Sequence, residues 1–283
     1  MWQSNYDGVS ILYLIPTPIG NMEDITYRSV RILNEVEVVF SEDTRITQNL
    51  LRYFNIRKKL ISLHDHNEDM VKEIVLSYLE KGYNVGLVTD RGTPIISDPG
   101  YKTVKYVSSK GFRVVALPGA NAFIPALITS GIAPQPFMFY GFLDSRFEKR
   151  KKELEGLKFI KNTMIFYEAP HRILKTMNLM LEVFGNREVS LSREISKKYE
   201  SIYRGSIVDL LPTLINIKGE FVIVVSGNVD IQNNMDDLSI VEQVDFYIKN
   251  GMSKMDAIKN VAKERNLKKN DVYAEYHKKR GDM

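Results

Sequence analysis

Residues Val85–Gly100 read VGLVTDRGTPIISDPG: an apolar run that ends in an acid, followed at once by two turns punctuated by glycine and proline. A strand buried on both faces of a parallel sheet is continuously apolar, and open α/β sheets gather ligands at the loops beyond the strands' carboxyl ends. Three further runs stop the same way: Ile11–Asn21 (ILYLIPTPIGN), Val36–Arg45 (VEVVFSEDTR) and Val114–Asn121 (VVALPGAN). Such strand ends predict one crevice lined by backbone and shaped for a small molecule.

Amphipathic segments alternate with these runs and predict helices at Thr26–Asn34, Thr44–Tyr53, Glu68–Glu80, Tyr101–Ser109 and Asn121–Ser130. Gly82, Gly111 and Gly131 stand just past three of them, where a left-handed residue closes a helix. Residues 1–130 are therefore expected to form an α/β domain with a mostly parallel sheet covered on both faces. The pattern changes after Gly131. Strands are expected at Phe137–Phe142, Thr163–Tyr167, Val189–Ser192 and Glu220–Val225, with helices at Phe147–Leu157, His171–Phe184 and Ser206–Asn216. They make a second α/β domain over residues 131–228. The polar stretch Gly227–Asp237 reads as a linker, and residues 229–283 as that linker plus helices at Ile240–Lys249, Lys254–Arg265 and Asn270–Lys279.

Composition narrows the chemistry. With 44% hydrophobic and 26% charged residues, the 283-residue chain is of ordinary globular type. It contains no cysteine, so disulfides, cysteine-ligated zinc and thiol nucleophiles are excluded. The amino terminus carries no basic leader and its apolar stretch is only strand-length, so a cytoplasmic protein with no membrane span is expected. The net charge of +4 is unevenly spread: Lys249–Arg280 holds ten Lys/Arg against four Asp/Glu. A second basic run comprises Arg146, Lys149, Arg150, Lys151 and Lys152. Either run is a solvated helix face or a phosphate-contacting surface.

The loops exclude familiar nucleotide cradles. IPTPIGN after the first strand is not GxGxxG, and no GxxxxGK[ST] occurs. Pro16 and Pro18 remove two N–H groups, which suits apolar or carbonyl contacts better than pyrophosphate. In the double turn, Gly92 and Gly100 permit positive φ, and Asp98 either caps the next helix or faces a ligand. His64, Asp65 and His66 invite a metal reading, yet four histidines in the chain leave too little for a site, and no metal is expected. Ser97 and His171 lack a GxSxG elbow for hydrolysis.

In order, the chain presents LIPTPIGNMEDITYRSVRIL, SEDTR, LISLHDHNE, VTDRGTPIISDPG, LPGANA, SGIAPQPFMFYGFL, YEAPHRI, REISKKYE and GEFVIVV. Together these motifs resemble the tetrapyrrole methylase superfamily of S-adenosylmethionine-dependent (class III) methyltransferases, and within it the ribosomal RNA small subunit methyltransferase I family. The resemblance covers Ile11–Gly227, with the tail similar to that family's C-terminal helical extension. It implies two α/β domains with a cofactor cleft between them. It also implies transfer of a methyl group to the ribose 2′-oxygen of a cytidine in the decoding region of small-subunit (16S) ribosomal RNA, as naked RNA or as the 30S subunit. Carried over by position, the cofactor contacts are Pro16, Thr17 and Gly20; Asp90, Gly92, Thr93, Pro94, Ile96, Ser97 and Asp98; Asn121 and Ala122; and Tyr167. A homodimer is likewise implied.

Some positions depart from the pattern. Arg91 stands where alanine is usual in a DAGTP-type loop, and Asp144 where GFLP is commoner. A guanidinium beside a sulfonium is repulsive, so Arg91 is expected to turn toward RNA phosphate, joined by Arg146, Lys149, Arg150, Lys151, Lys152, Lys268 and Lys269, with Tyr199 and Tyr203 as exposed aromatic candidates. In-line methyl transfer to a hydroxyl gains from orientation and from a base that removes the proton. Candidates for that base are Glu168, His171, Glu194, Lys197, Lys198 and Glu200. Glu168 comes first because it follows a strand directly, although it equally suits holding a loop through backbone N–H groups. The competing readings are a tetrapyrrole acceptor on the same fold and a non-catalytic RNA-binding assembly factor.

Overall fold

A computed structural model describes residue 3 and residues 8–215, 217–228, 238–249 and 252–278. By its contacts the chain divides into two compact units, Met1–Gly227 and Asn228–Met283. Both sheets lie in the first.

The first sheet contains β1 (Ile11–Leu14), β2 (Val38–Ser41), β3 (Lys59–Ser62), β4 (Val85–Val88) and β5 (Arg113–Ala116) in the order β3-β2-β4-β1-β5. All its pairings are parallel. Neighbouring residues of these strands serve opposite faces, which is why the runs are apolar throughout. Ile11, Ile15 and Val39 pack with Ile32, Leu33 and Leu51 from α1 (Tyr27–Glu35) and α2 (Thr44–Tyr53). Leu12, Val38, Phe40 and Leu87 pack on the other side with Val71, Val75 and Leu79 of α3 (Glu68–Glu80) and Val107 of α4 (Tyr101–Ser109). Each such side chain, fully buried, stabilises the fold by roughly 1.5–3 kcal/mol.

Caps place the helices. Thr26 accepts the Ser29 N–H at 3.0 Å, and Asp43 accepts that of Arg45 at 2.8 Å. Asp98 does not cap α4: Gly100 holds that position, and the buried Glu68 of α3 accepts the Thr103 N–H at 2.8 Å instead. The Asp98 carboxylate is thereby left to the crevice.

The second sheet has β6 (Phe137–Phe142), β7 (Thr163–Glu168), β8 (Glu188–Arg193), β9 (Ser201–Ser206) and β10 (Phe221–Val225), ordered β6-β7-β10-β8-β9. Only β6 and β7 run parallel; the remaining pairings are antiparallel. One face carries Phe166, Leu191 and Ile223 against α6 (Phe147–Leu157), α7 (Ile173–Phe184) and the short α8 (Ile207–Leu210). The other presents Ile165, Val222 and Val224 to Ala126 and Leu127 of α5 (Phe123–Thr129). So α5, which follows β5 of the first sheet in the chain, packs on the second sheet. The expected helix over Ser206–Asn216 is only α8 plus a 3-10 turn at Leu211–Leu214, because Pro212 lacks the N–H a continuing helix needs; Asn216 lies outside the described residues.

In the second unit, α9 (Ile240–Lys249), α10 (Lys254–Glu264) and α11 (Lys269–Lys278) enclose Val244, Ile258, Val261, Val272 and Tyr276. Ser253 caps α10, and the Tyr276 hydroxyl donates to Asp245 at 2.6 Å. Most of the expected linker, residues 229–237, lies outside the described residues. Among the described residues, no helix is long and apolar enough to cross a membrane.

Candidate active site

Because β4, β1 and β5 are adjacent and parallel, their C-terminal loops meet side by side, and they are stitched together. Thr17 and Gly92 exchange both backbone hydrogen bonds, at 2.9 and 3.0 Å. The Thr93 hydroxyl donates to the Ala120 carbonyl at 3.0 Å, and that of Thr17 to Thr89 O at 3.1 Å. A Cβ on Gly119 would lie 2.6 Å from Pro16 Cβ, so only glycine allows that approach. Gly92 (φ +85°) and, unusually for a β-branched residue, Ile95 (φ +77°) turn the β4 loop back on itself.

Between these loops and the second sheet lies a cleft of about 680 Å³. Of the residues carried over by resemblance, Asp90, Gly92, Thr93, Ile96, Ser97, Asp98, Asn121, Ala122 and Tyr167 line it, together with Arg91. Pro16 packs on Gly119, and Thr17 and Gly20 line a neighbouring cavity. Pro94 lines neither. Asn121 is engaged as a cap, its Oδ1 accepting the Ile124 N–H at 3.0 Å.

One side of the cleft is acidic. Glu42, Asp90 and Asp98 all line it, and the Asp90 carboxylate is braced by the Asp43 N–H at 2.9 Å. Burial and the neighbouring Asp90 and Asp98 charges push the Glu42 carboxyl above its ordinary value. Burial likewise raises Asp98, with the Thr89 hydroxyl opposing and Asp90 adding to it. Carboxylates this ill at ease are stabilised by a cation. Facing them is an aromatic and aliphatic wall of Phe123, Tyr167, Phe142, Ile195 and Val222. Burial pushes the Tyr167 hydroxyl up to about 12, so it stays protonated.

At the rim, charges from both sheets interlock. Arg91 Nη1 lies 2.7 Å from Glu220 Oε1, while Lys197 Nζ bonds Glu220 Oε2 at 2.7 Å and Glu194 Oε1 at 2.9 Å. The Lys197 stem crosses Gly20 so closely that a Cβ there would meet its Cγ at 2.4 Å.

This geometry corrects several expectations. Arg91, expected to reach only toward phosphate, is paired at the rim with Glu220, its side chain about half exposed. Glu168, the first-choice base, is 2% exposed and fully engaged: Oε1 accepts the Ala169 N–H at 2.9 Å and pairs with Arg172 Nε at 3.1 Å, and Oε2 takes the Thr176 hydroxyl at 2.6 Å. It fastens the start of α7. Burial would lower Lys197, but Glu220 and Glu194 outweigh it and hold the ammonium firmly protonated. Burial pushes Glu194 up, yet the Glu220 N–H and Lys197 leave its carboxyl lower than usual, a poor proton acceptor. Glu200 accepts the Ser196 N–H at 2.6 Å, and Lys198 stands over the Tyr199 ring. His171 alone of the six candidates lines the cleft with an exposed side chain that no other described residue engages.

In the basic run, Arg146 pairs with Asp144 at 2.7 Å and Lys151 with Glu182 at 2.6 Å. Arg150 is buried at 4% exposure, within 3.4 Å of Thr176 Oγ1, and unavailable to RNA. Lys149, Lys152, Lys268 and Lys269 are exposed. His64 and His66 sit in a loop beyond β3, not on a strand, with ring centroids 6.0 Å apart. Among the described residues no cluster of three His, Asp or Glu is placed to hold a metal ion.

Sequence reasoning passed over Glu42, Ile46, Phe142, Ile195 and Glu220. Glu42 stands inside the SEDTR motif and Glu220 opens GEFVIVV, so both carried a signal.

Residues 11–211 match the family described as tetrapyrrole (corrin/porphyrin) methylases. Among solved structures, a uroporphyrin-III-C-methyltransferase from Thermus thermophilus superposes with a TM-score of 0.56 at 17% identity, covering 80% of this chain and 98% of that one. A cobalt precorrin-4 methyltransferase gives 0.57 at 18%, covering 76% and 94%. The chain belongs to the tetrapyrrole methylase family and is a methyltransferase. Within that family it is 45% identical to the ribosomal RNA small subunit methyltransferase I of Bacillus subtilis (strain 168), over 97% of this chain and 98% of the relative. It is 42% identical to the protein of that name from Halalkalibacterium halodurans, with 96% of each covered.

Proposed function

We propose that this methyltransferase uses S-adenosylmethionine, held in the cleft, to methylate the 2′-oxygen of a cytidine ribose in the decoding region of small-subunit ribosomal RNA. Its relatives' names support a ribosomal RNA acceptor, and the one observation that carries the donor is the acidic side of the cleft facing an apolar, aromatic one. Three clustered carboxylates suit a sulfonium, while Ile96, Phe123 and Val222 suit an adenine. Arg91 does not spoil that fit, because Glu220 neutralises it.

Bound there, the donor supplies an electrophilic methyl group. The chain's own work is positioning and proton handling. The stitched loops keep the donor side rigid, so that Thr17, Gly92 and Thr93 would hold a bound donor at little reorganisation cost. We assign His171 as the group that would accept the acceptor hydroxyl's proton at a ring nitrogen during transfer. Lys197, fixed as an ammonium, contributes positive charge at the rim for the RNA backbone, with Lys149, Lys152, Lys268 and Lys269 as exposed phosphate contacts. A cytoplasmic homodimer belongs to the same proposal.

Ribose-methylation mapping of ribosomal RNA from cells with and without the gene is the test. Loss of one cytidine 2′-O-methyl group in the decoding region is expected. An unchanged small-subunit map would overturn the acceptor, and calorimetry showing no heat with S-adenosylmethionine would overturn the donor.

A further inference from the structure

Strand β6 carries one residue too many for its partner. Phe137, Met138 and Phe139 stand beside Thr163, Met164 and Ile165 of β7, and the pairing then resumes with Gly141 beside Phe166 and Phe142 beside Tyr167. Tyr140 is therefore the extra residue of a bulge, and Gly141 takes φ +85°, a conformation glycine adopts without strain. Side chains alternate between the faces of a strand, so one inserted residue exchanges the faces of those that follow. In an unbroken strand Phe142 would join Met138 and Tyr140 on the side of Phe166, α6 and α7, inside the core. The bulge sends it instead into the cleft, its ring centroid 5.5 Å from that of Tyr167.

There Phe142 is 56% exposed. It ends a series of rings in which Phe123 packs on Phe139 at 4.6 Å and Phe139 on Tyr167 at 5.0 Å. The other rings are half-buried. A phenyl ring stabilises a fold most when fully buried, so stability alone gives no reason to bring this one out. Bulges beside active sites serve to re-aim a side chain.

The ring is also held in register with His171, which lines the same cleft. Arg172 Nη2 donates to the carbonyls of Leu143 at 2.7 Å and Asp144 at 3.2 Å. That ties the residue after Phe142 to the residue after His171, and the buried Glu168 fixes Arg172 in turn. Leu143 is itself 2% exposed and anchored in the core. The next helix, α6, carries the exposed Lys149 and Lys152.

We infer that Phe142 is the stacking surface for the base of the nucleotide being methylated, and that it sets the ribose of that nucleotide against His171. Bases splayed out of single-stranded RNA are held in this way on aromatic side chains, with cations for the backbone. The inference rests on the ribosomal RNA reading above and names the residue that positions its acceptor. Every base has a π-face, so the ring places the nucleotide without selecting which base it is.

The test compares wild type with Phe142→Ala and Phe142→Tyr in methylation kinetics on small-subunit ribosomal RNA, S-adenosylmethionine affinity by calorimetry, and thermal midpoint. In Phe142→Ala the KM for RNA should rise by about ten- to hundredfold, the loss of one stacked base. Phe142→Tyr, which keeps the aromatic face, should restore it. Donor affinity and midpoint should stay at wild-type values in both. On RNA with an abasic nucleotide at the acceptor position, wild type and Phe142→Ala should bind alike. An unchanged KM in Phe142→Ala overturns the stacking role. A loss of donor affinity does so too, since the ring would then belong to the donor, and a lowered midpoint marks it as structural. A difference that persists on abasic RNA would put another part of the RNA on the ring. A wild-type enzyme that binds the donor but transfers nothing to ribosomal RNA overturns the acceptor assignment itself, and the stacking role falls with it.

Discussion

Arg91 Nη1 and Glu220 Oε1 meet at 2.7 Å, joining the loop after β4 of the first sheet to the residue that opens β10 of the second. Both side chains are more than half exposed, so as a stability element the pair is worth little. Its larger effect is on charge. Glu220 also holds Lys197, so one carboxylate offsets two cations beside a cleft that prefers a cation. Glu220→Ala should therefore weaken S-adenosylmethionine binding by up to about tenfold, an effect reduced by salt. Adding Arg91→Ala to Glu220→Ala should recover part of the loss. Equal calorimetric affinity in all three proteins would show that the rim charges do not reach the donor.

Glu168 and His171 separate structure from chemistry. Glu168→Gln keeps the shape but loses the charge opposite Arg172, and should lower stability by about 1–3 kcal/mol in urea unfolding. Its single-turnover methylation rate should stay close to wild type. His171→Ala should do the reverse, leaving the unfolding midpoint in place and slowing single-turnover transfer by about 10²–10⁴-fold. A slow Glu168→Gln enzyme with normal stability would exchange the two roles.

That exchange of candidates shows where sequence stops being informative. The central strands of both sheets are legible because burial on both faces leaves continuous apolar runs, as in Val85–Val88 and Phe221–Val225. The edge strands β3 and β9 are not. KLIS and SIYRGS are buried on one side at most, carry charges, and are held by pairing to β2 and β8 rather than by composition. The cofactor loops are legible as glycine and proline punctuation, but the role of a single acid is not. Glu168, Glu194 and Asp98 look alike in a string. What distinguishes them is Thr176, Lys197 and Gly100, each brought close by folding or by the cap it displaces.

Gly119 tests the stitching of the loops. An alanine Cβ there would lie 2.6 Å from Pro16 Cβ, and both neighbours belong to rigid turns. Gly119→Ala should cost about 1–3 kcal/mol of stability as the turn shifts. Since that turn also carries the Thr17–Gly92 bridge, donor affinity should fall with it. Wild-type donor affinity in a destabilised Gly119→Ala protein would mean that the loops bind the donor independently.

The acidic side of the cleft makes donor binding depend on pH. Glu42 and Asp98 are raised above 4.5 and 3.8, chiefly by burial. A carboxyl whose folded value exceeds its unfolded one binds extra protons in the native state. Without donor, stability therefore falls as pH rises from the unfolded value through the folded one. Donor affinity should run the other way, rising through the same window as the carboxylates ionise, with protons released on binding. Asp98→Asn should flatten the affinity profile and reduce proton release, measured by calorimetry in buffers of different ionisation enthalpy. A profile unaltered by Asp98→Asn would remove that residue from the donor's surroundings.

The basic residues divide by burial, and RNA binding should divide with them. Lys149, Lys152, Lys268 and Lys269 are exposed, whereas Arg150 lies against Thr176 in the core of the second sheet. Each lysine that neutralises one phosphate should contribute about 0.7 to the slope of log affinity against log salt on single-stranded RNA. Lys268→Ala combined with Lys269→Ala should thus flatten that slope by about 1.4 with no change in unfolding midpoint. Arg150→Ala should leave the slope alone and lower the midpoint, because its guanidinium fills space between α6 and α7. An unchanged slope in the Lys268/Lys269 double variant would place the RNA contact elsewhere, leaving Lys149 and Lys152 as the next pair to remove.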